Sequence, residues 1–264
     1  MSNNKPVPEK VSIITVVRNA VDTIETTLKS VLNQTYGNIE YIVIDGESTD
    51  GTLEIINKYR DRISIVISEK DNGLYDALNK GVRLSTGDWI GILNSGDVFT
   101  VNDVIANIFL SKKDFSDVDV LYGDSISVDG TIETLIKASP NISDLEIEPC
   151  YRHGASFLKQ NIHKKYLFDI SKAPLIGFAL DYDQMYRMYK GGAKFRKIDL
   201  TVIKYANRGA STISPFKPAY YNYLITHNMK CSFLMRRLLE WKSFWRGVAA
   251  VTTRFYARIK NDNS

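Results

Sequence analysis

A chain of 264 residues, 44% of them apolar, is long for one domain, short for two large ones, and rich enough in apolar side chains to bury a sizeable core, which excludes disorder. Its two cysteines, Cys150 and Cys231, lie far apart and lack CxxC spacing, which excludes a disulfide framework and a zinc site and fits a reducing compartment. The net charge of +4 is unevenly spread: from Lys217 onward nine Lys and Arg face only Glu240 and Asp262, so a basic end follows a slightly acidic body.

The first ten residues, MSNNKPVPEK, are polar and carry no apolar segment of a secretory leader. No run of about 18 apolar residues predicts a membrane-spanning helix. Val11–Val17 (VSIITVV) is a short β-branched run and predicts a buried strand. Asp22 is placed to cap a helix whose apolar face is Leu28, Val31 and Leu32. Ile39–Asp45 predicts a second strand, Asp50 a cap for a helix carrying Leu53, Ile56 and Tyr59, and Ile63–Ile67 a third strand. A helix over 74–84 and a strand over Trp89–Leu93 follow. Strands alternating with helices imply a parallel sheet covered on both faces, with ligands beyond the C-terminal strand ends. That rule gathers Thr15–Asn19, Asp45–Asp50, Glu69–Gly73 and Asn94–Asp97 on one rim.

The middle is less regular. Val118–Tyr122 and Ala155–Leu158 read as strands, Gly130 as a hairpin turn, and Thr201–Tyr205 as a last strand. Asp181–Tyr189 has helical spacing and stops at Gly191-Gly192. In the tail, Leu234, Leu238, Trp241, Trp245, Val248 and Thr252 fall on one helical face, with Arg236, Lys242 and Arg246 off it.

Two segments carry candidate chemistry by themselves. In Asn94-Ser95-Gly96-Asp97 an acid follows a strand end in a Gly-containing turn, where an oxygen ligand can hold Mg2+ or Mn2+ against a diphosphate; all four residues are also ordinary turn formers. In Asp45–Thr52 a strand feeds a turn into a helix start, whose free N–H groups suit a nucleotide; Ser48 or Asp50 equally serves as a plain cap. No GxGxxG is present, so a dinucleotide fold lacks its signature.

The blocks VSIITVVRNA, SVLNQTYGNIEYIVIDGESTDGT and SEKDNGLYDALNKGVRLSTGDWIGILNSGD, in this order and spacing, resemble the family 2 glycosyltransferases of the GT-A fold. The resemblance is strong over 11–100 and weaker over 150–212. It implies an α/β architecture: a Rossmann-like, mostly parallel central sheet flanked by helices, with a C-terminal amphipathic helical tail. Residues 1–10 form an N-terminal tail and 11–215 the catalytic domain, with 11–100 as the nucleotide-sugar half and 101–215 as the acceptor and catalytic half; 216–264 is the basic helical region.

Residue by residue, the resemblance implies that Thr15 and Asn19 line the nucleotide and that Asp45, Gly46 and Ser48 lie where the base is met. Gly46 stands where many members have a second Asp. Asp71, Asn72, Asp76 and Lys80 fall near the donor, although Asp76 and Lys80 also read as a surface i,i+4 pair. Asn94 and Ser95 lie beside the donor, and Asp97 takes the metal position of a DxD-type motif, with Asn94 and Gly96 in place of its other acids. Asp181 takes the place of the general base, with Asp183 as runner-up; both also suit an ordinary helix start. Arg208 would meet the pyrophosphate and His153 the acceptor.

These correspondences imply an inverting transfer from a nucleotide-sugar, UDP-sugars favoured, with Mn2+ or Mg2+ as cofactor. The basic aromatic tail over 217–264 fits peripheral contact with an anionic bilayer, hence a cytoplasmic enzyme at the inner face of a bacterial plasma membrane. The acceptor is then a saccharide on a lipid diphosphate, as in O-antigen or capsule synthesis. The tail reads alternatively as packing on the body or forming a homodimer. The rivals are a nucleotidyltransferase, which lacks its Gly-rich basic loop here, and a nucleotide-sugar-binding module without chemistry. A nucleic-acid binder is disfavoured because the basic residues cluster on the tail.

Overall fold

The computed structural model describes residues 8–111, 113–206 and 218–230, together with 232, 235, 237, 238 and 241. β1 (Val11–Val17) leads to α1 (Ile24–Leu32), β2 (Ile39–Asp45) to α2 (Thr52–Asn57), and β3 (Ile65–Ser68) to α3 (Leu74–Leu84), before β4 (Trp89–Ile92) and β5 (Val98–Phe99). Then come α4 (Val104–Phe109), a hairpin of β6 (Val120–Asp129) and β7 (Ile132–Ile136), β8 (Ser156–Lys159), α5 (Gln160–Lys165), α6 (Ala173–Ile176), α7 (Leu180–Lys190), β9 (Phe195–Ala206) and α8 (Pro218–Thr226). Gly130, at φ +62°, makes the expected hairpin turn.

These strands form one 9-stranded sheet in the order β3-β2-β1-β4-β8-β6-β9-β5, with β7 paired to β6. The first four strands are mutually parallel, as the β/α alternation predicts. Beyond β4 the sheet is mixed: β8 runs antiparallel to β4 and β6, β6 and β9 are parallel, and β5 is antiparallel to β9. The reversal at β8 matters for the site. Gly91 lies opposite Phe157 and Trp89 opposite Lys159, so the chain enters β8 beside the C-terminal end of β4. The turn at 152–155 thereby reaches the rim formed by the first four strands.

β1 is buried along its whole length and feeds both layers. Ile13 and Val17 pack with Ile24, Leu28 and Val31 of α1, whereas Ile14 and Val16 face Leu78 and Val82 of α3, the period-2 alternation of a strand covered on both sides. A Cβ on Gly81 would stand 2.5 Å from the Ile14 side chain, so glycine is what lets α3 approach β1. Trp89 is 0% exposed. Its indole N–H donates to Glu9 Oε2 at 2.6 Å, and Phe109 and Phe115 flank the ring.

Several boundaries differ from expectation. α1 starts after Thr23 and not on an Asp22 cap; the N–H groups of Thr23 and Ile24 instead reach the Ala20 carbonyl. Gly51, at φ +97°, is the residue before α2, and Asp50 acts one position earlier by accepting from Thr52 N at 3.0 Å. β9 begins at Phe195, well before Thr201. The start of the basic region packs on the body: Leu224 and Ile225 of α8 are buried with Met185 and Met188 of α7, and Tyr186 Oη donates to Thr226 O at 3.2 Å. Further on, Leu238 and Trp241 are 53% and 65% exposed. Leu234, Trp245, Val248 and Thr252 lie outside the described residues. Among the described residues no helix is long and apolar enough to cross a membrane.

Candidate active site

The rim begins with two loops tied to each other. Asn19 sits at φ +49°; its N–H donates to Ser48 Oγ at 2.8 Å and its side-chain oxygen accepts from Thr49 N at 2.9 Å. Ala20 N and Val21 N donate to Thr52 Oγ1 and Asp50 Oδ2. Beneath them Asp45 is 0% exposed. Its carboxylate accepts from Ser48 N at 3.1 Å, Ser48 Oγ at 2.5 Å and Ser68 Oγ at 2.6 Å. Asp45 therefore shapes, from beneath, the loop expected to meet the base. Thr15 is held in a similar way. It is 0% exposed, and its hydroxyl donates to Leu93 O at 2.8 Å and bonds Tyr41 Oη at 3.0 Å, tying β1 to the strand that carries the 94–97 turn.

Asp71 takes the space that Gly46 leaves. A Cβ at 46 would lie 2.6 Å from Asp71 Oδ2 and 3.4 Å from the Arg18 side chain. The other Asp71 oxygen accepts from Gly73 N at 2.8 Å. Asn72 donates its N–H and its side-chain amide to Asp76 Oδ2, at 3.0 and 3.3 Å, which fixes the entry to α3. Lys80 pairs with Glu69 at 2.5 Å, so Asp76 and Lys80 do not form the i,i+4 pair that their spacing allows.

The turn after β4 is held by hydroxyls of α1. Thr27, 0% exposed, accepts from Gly96 N at 2.9 Å and donates to Asp97 O at 2.9 Å. Ser30 Oγ accepts from Phe99 N at 2.7 Å, and the Thr23 and Ser95 hydroxyls meet at 3.4 Å. Thr23, Thr27 and Ser30 share one helical face, a signal present in the sequence but unread there because hydroxyls on a helix usually face water. Gly96 takes φ +92°, which only glycine adopts freely. Burial pushes the Asp97 carboxyl up to about 7, with the nearby charge of Arg152 pulling the other way. Asn94 Oδ1 is buried without a hydrogen-bond partner. A desolvated carboxylate and an orphaned amide oxygen in one turn are hard oxygen donors that fit Mg2+ or Mn2+. Among the described residues no group of three or more His, Cys, Asp or Glu forms a complete metal cage.

Across the rim stands α7. Asp183 is buried and neutralised by Lys172 Nζ and Arg187 Nε, both at 2.7 Å. Asp181 makes no ion pair among the described residues; it caps its own neighbour, accepting from Tyr182 N at 2.8 Å. The favoured acid and its runner-up are thus separated: Asp183 is held by two cations, and Asp181 has no cationic partner among the described residues. His153 lies close to Asp181. Burial lowers the imidazole's affinity for a proton, while the Asp181 charge and a bond to Gln184 raise it, with burial the larger effect. Gln184 donates its amide to Tyr166 O at 2.6 Å, which turns its oxygen toward His153 Nε2 at 3.0 Å. That arrangement puts the proton on Nε2 and leaves Nδ1 as an acceptor. Tyr75 of α3, unpredicted, donates to Phe178 O at 2.6 Å just before α7. Arg208 lies outside the described residues.

The rim thus joins a braced loop pair, a hydroxyl-held acidic turn and an unpaired carboxylate at a helix start. The family model described as Glycosyl transferase family 2 matches residues 12–167. A PGL/p-HBAD biosynthesis glycosyltransferase of Mycobacterium bovis is 35% identical over 118 residues, 44% of this chain and 46% of that relative. A UDP-Glc:alpha-D-GlcNAc-diphosphoundecaprenol beta-1,3-glucosyltransferase, WfaP, of Escherichia coli is 40% identical over 97 residues, 36% of this chain and 39% of that protein. The chain thus matches less than half the length of these curated relatives. Among solved structures, S. aureus TarS in complex with UDP-GlcNAc superposes with a TM-score of 0.61 at 19% identity, covering 87% of this chain and 69% of TarS. The mannosyltransferase PcManGT of Pyrobaculum calidifontis, with GDP-Man and Mn2+, gives 0.62 at 18% identity, covering 91% and 73%. At such identities the likeness establishes the fold.

Proposed function

The chain belongs to glycosyl transferase family 2, and from that premise we propose that it is an inverting, metal-dependent enzyme that moves a hexose from a nucleotide-sugar, UDP-sugars favoured, to a saccharide on a lipid diphosphate. The single observation that carries the assignment of roles is the contrast on α7, where Asp183 is locked by two cations and Asp181, beside His153, has no ion pair among the described residues.

Asp181 accepts the proton of the acceptor hydroxyl as that oxygen attacks the anomeric carbon and the bond to the nucleoside diphosphate breaks, turning an α-linked donor into a β-linked product. His153, with Nδ1 as acceptor, orients the hydroxyl. Asp97 and Asn94 would hold Mg2+ or Mn2+, which when bound offsets charge on the departing diphosphate; the remaining ligands come from that diphosphate and water. Asn19, Ser48, Asp71 and Asn72 form the nucleotide side, and Arg208 is assigned to the pyrophosphate. The WfaP relative, named for a diphosphoundecaprenol acceptor, supports a lipid-linked acceptor here; a place in O-antigen or capsule synthesis is part of the same proposal. The exposed Leu238 and Trp241 in the basic region support peripheral attachment to the inner face of the plasma membrane.

The test is a panel of UDP-, GDP- and dTDP-sugars assayed for transfer and slow hydrolysis with Mn2+. Asp181→Asn should lower turnover at least ~100-fold, within the range of general-base contributions, while leaving donor affinity unchanged. Asp183→Asn should instead lower thermal stability, since it strands Lys172 and Arg187. Equal turnover of Asp181→Asn and wild type would remove Asp181 from this role. The competing reading, a binding module without chemistry, draws on Asn94 and Gly96 replacing acids; binding of a nucleotide-sugar with no hydrolysis and no transfer would favour it.

A further inference from the structure

We propose that Arg152 is a further cation, besides Arg208, that binds the diphosphate of the donor and of the leaving nucleotide. The inference rests on the nucleotide-sugar reading above and assigns a residue that the sequence motifs do not reach.

Arg152 precedes the short turn His153–Ala155, which the reversal into β8 delivers to the rim. Its guanidinium lies over the Tyr205 ring at 3.9 Å, and Tyr205 is itself only 9% exposed at the end of β9. Among the described residues the guanidinium makes no ion pair and no hydrogen bond. This is unlike Arg187 and Arg196, which are paired to acids, and Arg60 and Arg62, which donate to carbonyls. A cation stacked on an aromatic face is oriented without its donors being used; all its N–H groups stay in the guanidinium plane, directed sideways, in the fork that fits phosphate oxygens.

Placement selects the ligand. The turn that Arg152 opens touches the 94–97 motif, because a Cβ on Gly154 would lie 3.9 Å from Asp97 Oδ2. The Arg152 charge is felt at Asp97, at His153 and at Tyr75, groups from β4, from its own turn and from α3. Arg152 therefore sits between the acidic turn and the start of α7, where the bond to the leaving group breaks. Among the described residues the other rim arginine, Arg18, stands over Gly46 on the β2 side, and Lys80 is taken by Glu69. A free cation beside a carboxylate that would hold a divalent metal makes a two-cation clamp for a phosphoanhydride: the metal on one side, the guanidinium on the other.

The experiment titrates the full chain, with Mn2+ present, with UDP, GDP and dTDP, with the matching monophosphates, and with a water-soluble isoprenyl diphosphate. For the base that binds, Arg152→Gln should weaken the diphosphate ~10- to 100-fold, the span of lost charge-assisted bonds, and the monophosphate less than ~3-fold. Arg152→Lys should recover part of the loss, because it restores charge without the planar fork. Thermal unfolding of both variants should match wild type, since the side chain is exposed. Undiminished diphosphate affinity in Arg152→Gln, or equal losses for diphosphate and monophosphate, overturns the assignment and leaves the donor reading standing. Loss confined to the isoprenyl diphosphate moves Arg152 to the acceptor and overturns it also. A wild-type chain that binds no nucleoside diphosphate defeats the donor reading and the clamp together.

Discussion

Asp181 and Asp183 illustrate what one position on a helix decides. Two residues apart on a helix they point to nearly opposite sides, so one meets Lys172 and Arg187 and the other faces the rim. Only the family resemblance ranked them in the sequence; helical spacing does not separate them, because the cations that neutralise Asp183 come from a different segment and from the next turn. Thr15 and Asp45 show a related effect. Polar residues at strand ends look ligand-facing, yet the partners that absorb them, Leu93, Tyr41 and Ser68, belong to neighbouring strands. Glu40 is a buried acid outside the site whose titration reports on the fold. Burial pushes it upward, but the Lys10 ammonium, Ser12 and the backbone and hydroxyl of Thr86 outweigh that and hold it at about 2. A depressed carboxyl contributes stability that is full above its unfolded value near 4.5 and is lost as pH falls through about 2. Glu40→Gln should therefore cost roughly 1–3 kcal/mol at pH 7, with the gap to wild type closing between pH 4.5 and 2 in denaturant titrations. A gap that stayed constant over that window would count against the assignment.

Among the elements, β1 and β2 were legible because β-branched runs buried on both faces have few other readings. β7 was not, since all five of its residues are exposed, and the first half of β9 was not, because Arg196, Lys197 and Asp199 break up its apolar pattern. The face of α1 is the element with the most direct bearing on the site. Thr27 alone bridges Gly96 N and Asp97 O, so the acidic turn is as well placed as this helix allows. Thr27→Val keeps the shape and removes both bonds. It should cost about 1–3 kcal/mol of stability, and it should also raise the Mn2+ concentration needed for half-maximal UDP binding. Thr27→Ser should restore the metal requirement. Loss of stability with an unchanged Mn2+ requirement would make Thr27 a core residue only.

For the molecule as a whole, the parallel half followed from periodicity and the ordered motif blocks, whereas the mixed half depended on strands that reverse direction, β8 at its boundary, which no local pattern announces. That reversal brings residues from both halves to a single rim: Asp45, Asp71 and Asp97 from the first, Arg152, His153 and Asp181 from the second. The basic region divides similarly. Its beginning is part of the body through α8, and the exposed Leu238 and Trp241 lie beyond.

The burial of Trp89 gives this division an optical signature. An indole held at 0% exposure and bonded to Glu9 emits as a shielded fluorophore, while Trp241 at 65% exposure is open to a neutral quencher. Acrylamide should therefore separate the protected emission of Trp89 from an accessible fraction to which Trp241 contributes; the third tryptophan, Trp245, lies outside the described residues. On adding anionic vesicles, bilayer docking of the basic region should shield the accessible population and move its emission to the blue, with the protected one unchanged. Identical quenching with and without vesicles would leave the region without a bilayer role. The same cuvette would report unfolding separately, as exposure of the protected indole.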